Sequence, residues 1–198
     1  MTSWTSELAE SRPPNLWAFG PEHGGLALRI ETVIALYSGL LTVGVQVWLD
    51  GGWGVDALLG EQTRAHSDLD IVVQETDLPA MSAFLVAQGF APYPRDDTRA
   101  WNYVLANDRQ ELIDVHVICI DLRGDGIYGP AENGQFDPAA ALAGRGRVGG
   151  LPVLCLSPEY QLESHRGYRP REEDRQDVCA LVRRFDLIAP PEYGQAEP

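Results

Sequence analysis

The chain has 198 residues, 44% hydrophobic and 22% charged, which describes a folded domain with a sizeable core and excludes a fibrous or wholly disordered chain. Fifteen basic residues against 29 acidic ones leave a formal net charge of -14, and every basic residue is arginine. That balance disfavours nucleic-acid phosphates and anionic membranes as partners, favours a small cationic one, and leaves no lysine for Schiff-base or P-loop chemistry.

In chain order, Met1 to about Gly25 carries Pro13-Pro14, Gly20-Pro21 and Gly24-Gly25, the punctuation of an irregular arm. Its Trp4, Trp17 and Phe19 offer anchors to the body, and it lacks the basic-then-apolar pattern of a signal peptide. One domain over residues 26–187 follows, its C-terminal helices included, with a tail over 188–198. Leu26, Ile30, Val33, Ile34 and Leu41 have helical spacing, predicting a helix over Leu26 to Val43. Thr32 to Leu49 is uncharged and near membrane-span length. Its Ser38, Gly39, Gly44 and Gln46, and its missing cationic flank, favour a buried helix followed by a short strand at Gln46 to Leu49. Gly51-Gly52 breaks that strand, and Trp53 to Leu59 reads as a short helix ending at Gly60.

Asp68 to Gln74 reads as a strand, and Asp77 as the N-cap of a helix over Leu78 to Gln88 that Gly89 stops. Strands at Ala100 to Ala106 and Glu111 to Ile120 flank the turn at Asn107-Asp108. Gly124 to Gly150 reads as a long functional loop with at most a short helix. A last strand spans Leu151 to Leu156. Ser157-Pro158-Glu159 then opens one helix, and Pro170 another, with acids in its first turn and Arg183-Arg184 in its last. The order predicts an α+β fold: a mixed sheet flanked by helices. Cys119, Cys155 and Cys179 lie far apart without metal spacing, as expected of reduced thiols in a cytoplasmic protein, and Cys119 and Cys155 read as core residues.

The chemistry concentrates in two places. Alternation along a strand puts Asp68 and Asp70 on one face while Leu69, Ile71 and Val73 pack inward. Two adjacent carboxylates repel unless a cation sits between them, and hard oxygen ligands suit Mg²⁺. Solvated aspartates at a strand edge are the competing reading. Gly51-Gly52, between a strand and a helix, lets backbone amides approach a phosphate. Asp114 interrupts the apolar run Leu112, Ile113, Val115, Val117, Ile118, where an unpaired charge is costly. His116 shares its face, as a hydrogen-bonded histidine or a catalytic one.

A strand, Gly-Gly, a helix and then D-x-D at a strand start form the layout of the polymerase-β-like nucleotidyltransferase superfamily. The segments G-G-W-G-V-D-A-L-L-G (51–60) and R-x-H-x-D-L-D-I (64–71) resemble the lincosamide nucleotidyltransferases and the aminoglycoside 2″-nucleotidyltransferases. The likeness continues at Leu112 to His116, Leu151 to Glu159, His165 to Tyr168 and Arg171 to Asp177, covering about Ile30 to Arg184. The resemblance implies that Asp68, Asp70 and Asp114 hold metal, two Mg²⁺ ions, with Asp114 as ligand or as proton acceptor. It implies transfer of a nucleoside monophosphate, AMP first among them, from a nucleoside triphosphate to a hydroxyl of an aminoglycoside or lincosamide antibiotic, with release of pyrophosphate. Gly51, Gly52, Arg64 and His66 are the expected phosphate contacts, arginine forking onto phosphate oxygens. A salt bridge from Arg64 to Glu61 or Asp56 is the alternative. Trp53 and Trp101 read as core residues, with nucleobase stacking as the alternative, and Arg171, Asp174 and Asp177 as helix-terminal charges. An antitoxin-type nucleotidyltransferase acting on a protein or tRNA, and a nucleotide-binding pseudoenzyme, are the competing functions.

Overall fold

The computed structural model describes residues 27–194, so the arm expected over Met1 to Gly25 lies outside the described residues. Helix α1 (Ile30–Thr42) turns Val33, Leu36, Tyr37 and Leu40 inward at the i, i+3, i+4, i+7 spacing of one helical face. It leads through β1 (Val47–Leu49) and α2 (Gly51–Leu59) to β2 (Asp68–Gln74), then through a short turn of 3₁₀ helix to α3 (Leu78–Ala87). Strands β3 (Ala91–Tyr93), β4 (Asn102–Ala106) and β5 (Leu112–Ile120) follow, with β6 (Gly126–Tyr128) and β7 (Phe136–Asp137) as short additions. The hairpin β8 (Arg145–Val148) and β9 (Leu151–Leu154) precedes helices α4 (Pro158–Ser164) and α5 (Glu172–Phe185).

The sheet runs β1-β2-β5-β4-β3, with β6 and β7 joined at the far end of β5. Within it β2 and β5 are parallel, and the other pairings are antiparallel. This is the mixed α+β architecture expected. Leu69, Ile71 and Val73 of β2 lie beside Ile113, Val115 and Val117 of β5, all facing the main core with Leu36, Leu40, Met81 and Leu85. On the other face Val72 and Ile118 join Trp48, Leu142 and Leu156 in a smaller apolar cluster. Polar side chains continue that second face toward the N-terminal ends of β2 and β5.

No helix among the described residues is long and apolar enough to cross a membrane, and Thr32 to Leu49 is the expected helix and strand. Four local expectations need correction. The stretch Gly124 to Gly150 is not one long loop: it contains β6, β7 and β8. Glycine hides β8, because Gly146 has no side chain to signal a strand, and a Cβ there would overlap the Ala57 carbonyl of α2. Asp77 occupies the N-cap position of α3 without capping it, and its Oδ2 instead accepts a bond from the Gln46 amide at 3.4 Å. Cys155 is buried as expected, but Cys119 is exposed at the end of β5, its thiol 3.1 Å from Glu75 Oε2. The last helix opens at Glu172, where Asp174 Oδ2 accepts from the Arg171 backbone amide at 2.7 Å.

Candidate active site

The parallel pairing of β2 and β5 sets Asp70 directly opposite Asp114, and Val72 opposite His116. Asp68, Asp70, Asp114 and His116 therefore share one face, as alternation along each strand requires. His116 Nε2 lies 4.0 Å from Asp70 Oδ1 and 3.9 Å from Asp114 Oδ1, so the imidazole stands between two carboxylates. Arg95 Nη1 approaches Asp114 Oδ2 at 3.8 Å, and the Tyr128 hydroxyl lies 3.3 Å from His116 Nδ1. Ligand atoms of Asp70, Asp114 and His116 all fall within 4.8 Å of one another. Asp114 Oδ1 is buried and has no hydrogen-bond partner among the described residues.

Burial, with the Asp68 charge adding to it, pushes the Asp70 carboxyl up to about 6. Burial raises Asp114 as well. Burial works against the charged form of His116, but Asp70, Asp50 and Asp114 outweigh it and hold the ring up at about 9. The imidazolium, with Arg95 beside Asp114, partly offsets the charge of the acids.

Next to this face, Asp50 caps α2, its Oδ1 accepting from the Gly51 amide at 2.7 Å, and its own amide donates to the Asp70 carbonyl at 3.0 Å. Gly51 has φ +53°, and a Cβ there would overlap Asp70 Oδ2. A Cβ on Gly52 would overlap His66 Nδ1 and stand 2.7 Å from Arg64 Nη2. Both glycines are needed because Asp70, His66 and Arg64 crowd the N-terminus of α2. His66 is buried, its Nε2 bonded to Asp56 Oδ2, while Asp56 Oδ1 accepts from the Thr63 amide at 3.0 Å. Its Nδ1 has no partner among the described residues. Arg64 bridges neither Glu61 nor Asp56. It forks onto Asp177 of α5, Nε to Oδ1 at 2.9 Å and Nη2 to Oδ2 at 2.6 Å.

Asp50, Gly51, Gly52, Arg64, His66, Asp68 and Asp70 line one cleft of about 430 Å³, together with Tyr168, Asp174 and Asp177. The fold brings Asp114 to the same cluster through β5. Trp53 is buried, tilted against His66 with ring centroids 4.8 Å apart, and Trp101 packs on the core. Reading the sequence alone missed Asp50, Tyr128, Arg95 and the role of Asp177. Asp50 had a signal, since it sits directly before Gly-Gly at an N-cap position. The other three have none at short range.

The model of the aminoglycoside-2″-adenylyltransferase family matches residues 32–181, a span that holds every candidate residue above. The chain belongs to this family. As a member it is an antibiotic nucleotidyltransferase, an enzyme. A lincosamide resistance protein of Staphylococcus haemolyticus is 30% identical over 140 residues, covering 69% of this chain and 84% of the relative. The lincomycin-bound structure of a lincosamide antibiotic adenylyltransferase superposes with a TM-score of 0.70 at 25% identity, covering 79% of this chain and 98% of that one. ANT(2″)-Ia in complex with adenylyl-2″-tobramycin superposes with a TM-score of 0.62 at 19% identity, over 79% of this chain and 88% of that one, a likeness of fold. The nucleotidyltransferase fold expected from the Gly-Gly and D-x-D layout is thus the fold of this adenylyltransferase-family chain.

Proposed function

We propose that this enzyme transfers AMP from ATP to a hydroxyl of a small cationic antibiotic, an aminoglycoside or a lincosamide, and releases pyrophosphate. The observation that carries the reading is the β2–β5 register, which sets Asp114 opposite Asp70 beside the glycine-lined N-terminus of α2. The donor set fits Mg²⁺: carboxylates on neighbouring strands converge, and one oxygen of Asp114 is buried without a partner. Asp68, Asp70 and Asp114 would hold the metal, two ions in the fullest version, with His116 beside them. Bound Mg²⁺ supplies charge neutralisation at the α-phosphate and lowers the pKa of the acceptor hydroxyl.

The remaining work belongs to the chain. The amides of Gly51 and Gly52, at the positive end of α2, face the triphosphate. Arg64 directs its free N–H groups to the leaving pyrophosphate, and His66 presents Nδ1 beside Gly52. The acceptor oxygen forms a bond to the α-phosphorus as the bond to pyrophosphate breaks. Asp114, in the role of base rather than ligand, takes the hydroxyl proton. Positioning and charge neutralisation carry most of the rate. The family name supports an aminoglycoside, the lincosamide resistance relative a lincosamide, and the net charge of -14 either cation.

A pyrophosphate-release screen of the pure protein with ATP or GTP, Mg²⁺ and a panel of both antibiotic classes tests this. Release with ATP that depends on one antibiotic is the expected result. Release independent of every acceptor, or none with any, overturns it.

A further inference from the structure

We infer that Asp177 is a positioning residue for the nucleotide, which makes the C-terminal helix α5 a working wall of the triphosphate site. The inference rests on the nucleotidyl-transfer reading above. Asp177 lies 113 positions after Arg64 and is only 2% exposed, while the Arg64 side chain is 20% exposed toward the cleft. Burying a carboxylate is costly unless it is paired and hydrogen-bonded, and here both oxygens are spent on one guanidinium. The fork fixes the plane of that guanidinium, which a single-oxygen contact would leave free to rotate. Nη1 also donates to the Ala65 carbonyl at 3.2 Å. Of five guanidinium N–H groups, two remain unspent among the described residues, one on each terminal nitrogen.

The one on Nη2 sits beside Gly52. A Cβ on that residue would stand 2.7 Å from Arg64 Nη2 and would overlap His66 Nδ1, so both groups face its bare side at the start of α2. His66 is built the same way: buried, held through Nε2 by the buried Asp56, with Nδ1 unpartnered among the described residues. Two buried carboxylates, one from α2 and one from α5, thus orient the two members of the R-x-H motif against the same glycine. The polar groups meet where the fold offers an anion its helix N-terminus.

Asp177 could instead serve only to offset the charge of Arg64, and the two roles predict opposite signs. Without its carboxylate an uncompensated Arg64 would bind a triphosphate more tightly. A guanidinium freed from its fork would bind it less tightly. The test is equilibrium binding of Mg–ATP and of Mg–pyrophosphate to the full chain and to Asp177→Asn, with acceptor KM measured alongside. The expected result is a Kd for both probes raised about tenfold, at the lower end of what removing a ligand's supporting partner costs. The KM for ATP should follow while the acceptor KM stays put, and Arg64→Lys should add little on top of Asp177→Asn. Asp177→Glu keeps the charge but shifts the fork by one methylene, and should also weaken both probes, which covers the case in which Asp177→Asn fails to fold. Unchanged or tighter binding in a folded variant overturns the inference and leaves nucleotidyl transfer intact. A wild-type chain that binds neither probe overturns both.

Discussion

Asp70 and Asp114 stand opposite one another across the parallel β2–β5 pairing, with the His116 ring 4.0 Å from the first and 3.9 Å from the second. Burial raises both carboxyls, and the ring between them is held as an imidazolium up to about 9. A cation is already built into the gap between the acids. The metal-free state is therefore a compromise whose consequences can be measured.

Replacing Asp68 or Asp70 by Asn should abolish turnover without costing stability. Removing a supporting partner of a metal ligand typically costs 10–100-fold, so removal of the ligand itself should cost at least about a hundredfold in kcat/KM. The variant sheds one of two repelling, half-buried charges, and Tm should hold or rise, by about 2–4 °C for each kcal/mol recovered in a chain of this size. Near-wild-type pyrophosphate release from Asp68→Asn would remove the metal assignment.

The pH dependence of the metal-free protein follows from the two raised groups. Asp70 is raised from 3.8 to about 6, so its contribution is full below about 3.8 and is lost as pH rises through about 6. His116 is raised from 6.5 to about 9, so its contribution is full below about 6.5 and is lost as pH rises through about 9. Both act in one direction: this cluster favours the fold less as pH rises. In EDTA, the Tm gap between wild type and His116→Gln should shrink from pH 6 to pH 9. A gap that stays constant or widens would contradict the imidazolium between the acids.

Mg²⁺ and nucleotide together should raise Tm by more than either alone, because the metal neutralises the acids and the triphosphate supplies ligands the protein lacks. The excess should be larger at pH 8 than at pH 5, where protonated Asp70 competes with the metal. A flat Tm across a titration in both would assign these acids a structural role.

Two glycines with left-handed backbones separate the site from the scaffold. Gly51 has φ +53° and a Cβ there meets Asp70, whereas at Gly60, with φ +82°, a Cβ meets nothing within 4 Å among the described residues. Either residue as alanine should lose about 1–2 kcal/mol to left-handed backbone strain. Only Gly51→Ala should also lose turnover, measured as kcat/KM at a temperature where both variants are folded. Equal activity in the two would detach Gly51 from the chemistry.

The acceptor can be probed by salt. Screening lengths fall from about 10 Å at 0.1 M to about 3 Å at 1 M. A polycationic aminoglycoside should show a KM that climbs steeply with ionic strength, a singly charged lincosamide a shallower one, and Mg–ATP less than a cationic acceptor. An acceptor KM indifferent to salt would take away the electrostatic argument for a cationic drug.

Most of β2 was legible from residues alone, because strand alternation is local: Asp68 and Asp70 on one face and Leu69, Ile71 and Val73 on the other follow from a period of two. Gly51-Gly52 announced a close approach for the same reason, since the lack of a Cβ is a property of the residue itself. What was approached there was not legible. The chain length between Asp70 and Asp114 leaves their register undetermined, and only parallel pairing beside the core face sets one opposite the other. Tyr128 reaches His116 because β6 pairs with the end of β5, in a stretch whose glycines carry no strand signal. Asp177 read as a helix-terminal charge, which is how an acid near a helix start looks in one dimension. The docking of α5 turns it 113 positions back onto Arg64, and no local period encodes that distance. Side-chain type and spacing decided which residues are candidates for the proposed chemistry. The packing of sheet and helices decided which of them meet, because contacts between distant segments are selected by burying apolar faces, and the polar groups travel with them.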